Sequence, residues 1–326
     1  MPVMYKAIIF VGAAGFALLL AVSFGFQASL RPNDSQRLLL RRGLSPFDAA
    51  RAYADLEAIL AIGPRVSGTV GSKTAREYIQ RELEAVGISV ELFPFDANTP
   101  LGARMMTNIV GTVEGTLPGV IILSNHYDTK YMPDIPFVGA NDGGSTTAWM
   151  IEMARALGPK REGHSVWLAF FDGEEAFEKW SDADSLYGSR RFVERMKSSG
   201  QLGIVEAMIN VDMIGDCYLG VFRDPGAPDW LQEGVLNTAR LLGYSQHFIE
   251  NRPAIKDDHI PFRKAGVPAL NLIDFRYGGS VLNHNRNWHT ANDKIDRVCM
   301  ESLQLVGDVL YRALPEIDSR IRTRAN

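Results

Sequence analysis

Four segments of this chain end on acidic or histidine residues, and that repetition restricts the available folds more than any other feature. GVIILSNHYD closes on His126 and Asp128, SVWLAFFDGEE on Asp172, Glu174 and Glu175, AMINVDMIG on Asp212, and the segment leading to NWHT on His289. An unbroken apolar run such as GVIILSN is the pattern of a strand covered on both faces. In an open α/β sheet ligands bind beyond the carboxyl ends of the strands. The four endings therefore mark a place where carboxylates and imidazoles bind metal or move protons. Taken singly, Glu174–Glu175 reads equally as a solvated turn, and His289 as a packing or surface group. The four together favour a site.

Between these runs the pattern switches to helical spacing. Ser45 and Pro46 suit the cap and first turn of a helix in which Phe47, Ala50, Tyr53, Leu56 and Leu60 recur, ended by Gly63 and Pro64. A Gly-rich loop and a second helix follow, closed by Gly87. ISVELFPF and ARMMTNIVGTVEG read as strands, and VEAMINV and PALNLI as two more. Helices are predicted at Thr146–Leu157, Tyr187–Met196, Trp230–Leu242 and Met300–Ile321. The order predicts an α/β fold with a mixed, largely parallel central sheet flanked by helices on both faces. Residues 45–326 form one catalytic domain on this reading, consistent with 326 residues of which 46% are hydrophobic. The loops Thr129–Gly139, Gly215–Asp229 and Arg276–Asn287 exceed what connection requires, which points to function.

A net charge of -4 offers no basic field, so nucleic acid is not an expected partner. The two cysteines, Cys217 and Cys299, lie outside any CxxC pattern, so neither a disulfide scaffold nor a cysteine-rich zinc site is indicated; whether the two pair is left open. Any zinc must then take histidine and carboxylate donors, and Asp142, Glu175 and His289 supply three. Residues 7–26 are an uncharged run of bilayer-spanning length after a short end at 1–6, and 27–44 read as a basic stalk. An uncleaved membrane anchor is favoured over a removed signal peptide.

SNHYDTKY, FVGANDGG, FFDGEEAFEKWSDADSLYGSR, NVDMIG, KDDHIPF, AGVPALNLI and NWHT, in this order, resemble the zinc-dependent glutaminyl-peptide cyclotransferases of the animal type. That family shares its fold with the co-catalytic zinc aminopeptidases, and the resemblance runs from about Ser45 to the carboxyl end. It implies conversion of the N-terminal glutamine of peptides or proteins to pyroglutamate with release of ammonia. It further implies one Zn2+ per chain on Asp142, Glu175 and His289, with Glu174 as general acid and base and Asp212 and Asp257 as its hydrogen-bonded acidic partners. Trp180 and Trp288 become walls of the substrate pocket, and Lys130 a further substrate contact. His126 matches a second-metal ligand of the aminopeptidases, oriented by Asp128, and His259 is expected to pack rather than ligate. The resemblance also places the catalytic domain outside the cytoplasm, whereas Arg31, Arg37, Arg41 and Arg42 after the span argue for a cytoplasmic flank.

Three departures accompany it. Asn125 and Thr147 stand where the animal enzymes carry a cysteine pair, and Lys256 stands where glutamine is frequent. Asp142–Gly143 falls where relatives have a cis peptide. A zinc aminopeptidase holding two metals through His126, Asp142, Glu175, Asp212 and His289 is the alternative activity. A catalytically dead binding ectodomain is disfavoured because every ligand and the base are present.

Overall fold

In the computed structural model the described residues are 44–249, 254–279 and 285–325. The short end at 1–6, the span at 7–26 and nearly all of the stalk lie outside them. Among the described residues no helix is long and apolar enough to cross a membrane.

Two helices, α1 (Ala49–Ala61) and α2 (Val70–Ala85), precede a hairpin of β1 (Ser89–Thr99) and β2 (Gly102–His126), paired antiparallel from Ser89 opposite Thr112 to Thr99 opposite Gly102. The two strands expected between Ala103 and Asn125 are one extended element. It doubles back near Gly119, whose φ of 92° suits glycine. Its second arm runs parallel to β3 (Lys160–Phe171), with Ile121 opposite Val166 and His126 opposite Phe171. Along the first arm the partners run the other way, Ile109 opposite Phe170 and Val113 opposite Val166. β4 (Val205–Asp212) adds to β2 in parallel, and β7 (Ala269–Ile273) adds to β4 in parallel. This is the expected mixed sheet. A small two-stranded sheet pairs β5 (Val221–Phe222) with β6 (Phe248–Ile249).

Strand alternation sends successive side chains to opposite faces, and two cores result. Ile121, Leu123, Val166, Leu168, Ile209, Val211 and Leu270 pack with α1, α2, α3 (Thr146–Leu157), α5 (Asp229–Leu241) and the long α7 (Met300–Ala325). Ile122, Ala169, Phe171, Met208 and Ala269 face the other way, against Phe192 and Met196 of α4 (Tyr187–Ser198) and Phe262 of α6 (His259–Lys264). Each fully buried aliphatic or aromatic side chain here contributes roughly 1.5–3 kcal/mol. Burial on both faces is why these strands read as unbroken apolar runs.

The cap of α1 is Asp48, whose side chain accepts from Ala50 N at 2.9 Å, rather than Ser45. Ser45 Oγ instead donates to Asp308 Oδ1 of α7 at 2.6 Å, a tertiary bond that overrides its local capping preference. Cys217 and Cys299 are joined in a disulfide, which settles the pairing that their spacing left open. The loop after β4 is laid against the start of α7: Cys299 N donates to Gly215 O at 2.9 Å and Ser302 Oγ to Asp216 O at 2.6 Å. Those contacts bring together cysteines 82 residues apart, which spacing alone cannot reveal. A disulfide fits an oxidising, extracytoplasmic environment.

Candidate active site

The carboxyl ends of the strands deliver the site's donors. His126 is the last residue of β2 and Asp212 the last of β4, while Glu174 and Glu175 follow β3. Asp128 stands just past β2 and accepts from Glu174 N at 3.2 Å and Glu175 N at 3.3 Å, one bond to each oxygen. The two strand ends are thereby tied together and the acid pair is aimed.

Asp142 lies in the tight turn Ala140–Ser145, where its own φ and ψ of -82° and 102° break the helical path. Gly143 follows with φ of 75°, and a Cβ there would meet Asp128 O at 2.7 Å, so both conformation and space require glycine. Asp293 fixes this turn from outside, Oδ1 accepting from Asn141 N at 2.7 Å and Oδ2 from Asp142 N at 3.2 Å. The Asp142–Gly143 peptide, which the sequence left open, is trans, and no cis bond occurs among the described residues. His289, at φ of 52°, is stacked on Trp288 with ring centroids 4.0 Å apart and meets the ring of Phe137 edge-on.

These placements create two donor groups that share Asp142. His289 Nε2 lies 2.9 Å from Glu175 Oε1 and 3.2 Å from Asp142 Oδ2. His126 Nε2 lies 3.2 Å from Asp142 Oδ1 and 3.4 Å from Asp212 Oδ1. Within each group the donor atoms lie within 4.8 Å of one another. Asp142 Oδ2, Asp212 Oδ1 and both ring nitrogens of His126 are buried without a hydrogen bond, so the short approaches between them are not aligned as such bonds. Orphaned buried charge of this kind is costly unless something compensates it. One imidazole and two carboxylates form an ordinary zinc donor set with room for a further ligand, and the residues fit that ion.

The electrostatics agree with the geometry. Burial pushes Glu174 well above the usual carboxylate range, and the charges of Glu175, Asp257 and Asp258 add to it against the opposing pull of His126. Asp257 is pushed up to about 7 by burial and by the charge of Asp212. His289 is raised to about 10: burial lowers it, but the charge of Glu175 and the close approach of the Asp142 and Glu175 carboxylates prevail. The cluster calls for positive charge.

Nine of the residues singled out from the sequence line one cavity of about 460 Å³: Lys130, Asp142, Glu174, Glu175, Trp180, Asp212, Asp257, Trp288 and His289. Trp180 is 38% exposed at the cavity, so it is not the packing residue its type would suggest. Ile273 and Phe275 extend the apolar wall. Lys130 Nζ donates to Ala176 O at 2.5 Å and stands 3.8 Å from Glu175 Oε2. Asp212 Oδ1 lies 3.4 Å from His126 Nε2, and Asp257 accepts from Asp258 N at 2.6 Å and Asn271 Nδ2 at 3.1 Å. Asp257 acts on Glu174 through charge.

His259 is buried, 4.0 Å from Asp224, and belongs to neither donor group. Asn125 Nδ2 donates to Thr147 Oγ1 at 3.0 Å, a hydrogen bond where the animal enzymes have their disulfide. Three acids went unassigned in the sequence reading: Asp293, Asp258 and Asp184. Asp184 accepts from Phe177 N, Glu178 N, Lys179 N and Tyr187 Oη, all within 3.0 Å, and so shapes the loop carrying Trp180. Its place inside WSDADSLYGSR was the only available signal.

A mixed sheet with carboxylate and imidazole donors gathered past its strand ends defines an α/β enzyme of aminopeptidase-like fold with a candidate metal site. Comparison with known proteins agrees. Residues 108–314 match the model of Peptidase family M28. The glutaminyl-peptide cyclotransferase of Gloydius blomhoffii is 32% identical over 77% of this chain and 77% of its own length, and that of Bos taurus is 32% identical over 74% and 76%. Among solved structures, Acidobacteriales bacterium glutaminyl cyclase superposes with a TM-score of 0.79 at 39% identity, covering 85% of this chain and 96% of that one. A Zn-dependent exopeptidase from Parabacteroides distasonis gives 0.75 at 26% identity, over 83% and 99%. The chain belongs to Peptidase family M28 and, within it, to the glutaminyl-peptide cyclotransferases.

Proposed function

We propose that this protein converts the N-terminal glutamine of peptides or proteins to pyroglutamate, releasing ammonia. The observation that carries the reading is Glu174, a buried carboxyl held well above its usual range, beside the Asp142, Glu175 and His289 donors in a cavity walled by Trp180 and Trp288. In the reaction the neutral α-amine attacks the γ-carbonyl carbon of its own side chain, a C–N bond forms, and the γ-amide nitrogen leaves as ammonia. Glu174 takes the proton from the attacking amine and passes it to the leaving nitrogen, a role suited to a carboxyl tuned toward neutrality. Zinc, held by Asp142, Glu175 and His289, would supply Lewis-acid polarisation of the carbonyl. Trp180 and Trp288 hold the side chain folded toward its own amine, which is most of what an intramolecular reaction needs. Asp212 and Asp257 bear on Glu174 by charge, and Lys130 closes the wall beside Glu175. In the cell we place residues 45–326 outside the cytoplasm, tethered through residues 7–26; the disulfide supports the compartment.

The second donor group, His126, Asp142 and Asp212, favours one alternative, a zinc aminopeptidase binding two metals. One experiment separates the readings. The zinc-loaded protein is given a peptide with N-terminal glutamine, and ammonia, product mass and metal per chain are measured. Cyclisation predicts ammonia without cleavage, about one zinc per chain, loss on chelation, and a rate about 10²–10⁴-fold lower in Glu174→Gln. Free amino acids released from several peptides, with two metals per chain, would establish the peptidase instead.

A further inference from the structure

The mouth of the cavity is more basic than its base. Lys179 and Lys256 both line it and are both exposed, and among the described residues neither ammonium has a hydrogen-bond or ion-pair partner. Lys130, the third lysine, is already committed to Ala176 O and Glu175. One exposed acid, Glu178, shares the rim. Both lysines line the cavity that holds the chemistry, Lys179 next in sequence to Trp180 and Lys256 next to Asp257. Lys179 is also held in place at its main chain, since its N–H donates to Asp184 Oδ2 at 3.0 Å.

A peptide whose first residue occupies the base of this cavity places its second and third residues at the rim, because successive Cα atoms are only about 3.8 Å apart. A lysine side chain reaches across such a gap. Resting on the function proposed above, we infer that Lys179 and Lys256 select peptides carrying a carboxylate just after the N-terminal glutamine, through direct pairing at the cavity mouth. The carboxylate has two possible sources, an Asp or Glu side chain at the second or third position, or the terminal carboxylate of a very short peptide.

The test uses the full zinc-loaded chain and four peptides of equal length: Gln-Ala-Ala-amide, Gln-Glu-Ala-amide, Gln-Lys-Ala-amide and Gln-Ala-Ala with a free carboxyl end. At low salt the Glu peptide should exceed the Ala peptide in kcat/KM by about two- to fivefold per lysine engaged, the range of exposed ion pairs. The Lys peptide should fall below both. The ratios should shrink toward one at about 0.5 M salt, where screening is strong. In K179Q/K256Q the Glu-to-Ala ratio should collapse to about one, and K256E should invert the order of the Glu and Lys peptides. Binding to a Glu174→Gln background, read from the Trp180 emission, should follow the same order. A gain for the free acid alone would assign the carboxylate to the chain end. Equal kcat/KM for all four peptides in the wild type, or a ratio unchanged in K179Q/K256Q, overturns the inference while leaving cyclisation intact. Absence of ammonia release from every peptide removes the cyclase reading itself, and this inference with it.

Discussion

Asp293 shows how much one unassigned residue controls. It does not line the cavity, yet its two oxygens hold the main-chain N–H groups of Asn141 and Asp142, and Tyr277 Oη donates to it at 2.7 Å. Replacing it with Asn would turn an amide NH2 toward one of those N–H groups and free the Asp142 turn. Asp293→Asn should therefore weaken zinc binding about 10–100-fold, the usual cost of losing a residue that orients a ligand. Competition against a chromophoric chelator measures this directly. Unchanged affinity would mean that the turn is held without Asp293. At this scale the donors Asp142, Glu175 and His289 were legible in the motifs ANDGG, DGEE and NWHT. Their supports were not, because Asp293 reaches Asn141 across 152 positions of sequence.

The loop from Phe177 to Asp184 is an element without regular structure, and a carboxylate inside it sets its shape. Burial opposes ionisation of Asp184, but bonds from Glu178 N, Phe177 N and Tyr187 Oη prevail and hold it below the usual carboxylate range. Asp184→Ala should loosen the wall bearing Trp180 while leaving Glu174 anchored on Asp128. We expect KM for glutaminyl peptides to rise about tenfold or more with a smaller change in kcat, since charge-assisted bonds of this type are lost and the substrate is less well oriented. Trp180 emission should shift toward that of a solvated indole. A lower melting temperature with KM and emission unchanged would assign Asp184 a purely structural role. Among regular elements, α3 occupies the residues its periodicity indicates, Thr146–Leu157, and β3 and β4 end where their apolar runs end. α1 begins later than its sequence suggests because Ser45 finds Asp308.

Across the whole molecule, the disulfide closes a loop containing β5, α5, β6, α6 and β7 between the end of β4 and the start of α7. Cross-linking cysteines 82 positions apart should stabilise the fold by about 2–5 kcal/mol, mainly by restricting the unfolded chain. Urea unfolding with and without reductant, or of Cys217→Ser/Cys299→Ser, should show a loss in that range. Identical midpoints would show that the packing of α7 against the sheet suffices alone.

The sequence by itself determined the layered architecture and the chemical character of the site. Strands buried on both faces must be written as apolar runs, and reactive groups must follow them where the sheet opens to ligand. Tertiary structure alone decided the partnerships. Asp212 meets His126, Asp128 aims the Glu174–Glu175 pair, and Cys217 meets Cys299. The direction of a side chain at a strand end depends on distant segments packed around it, and local sequence carries no record of them.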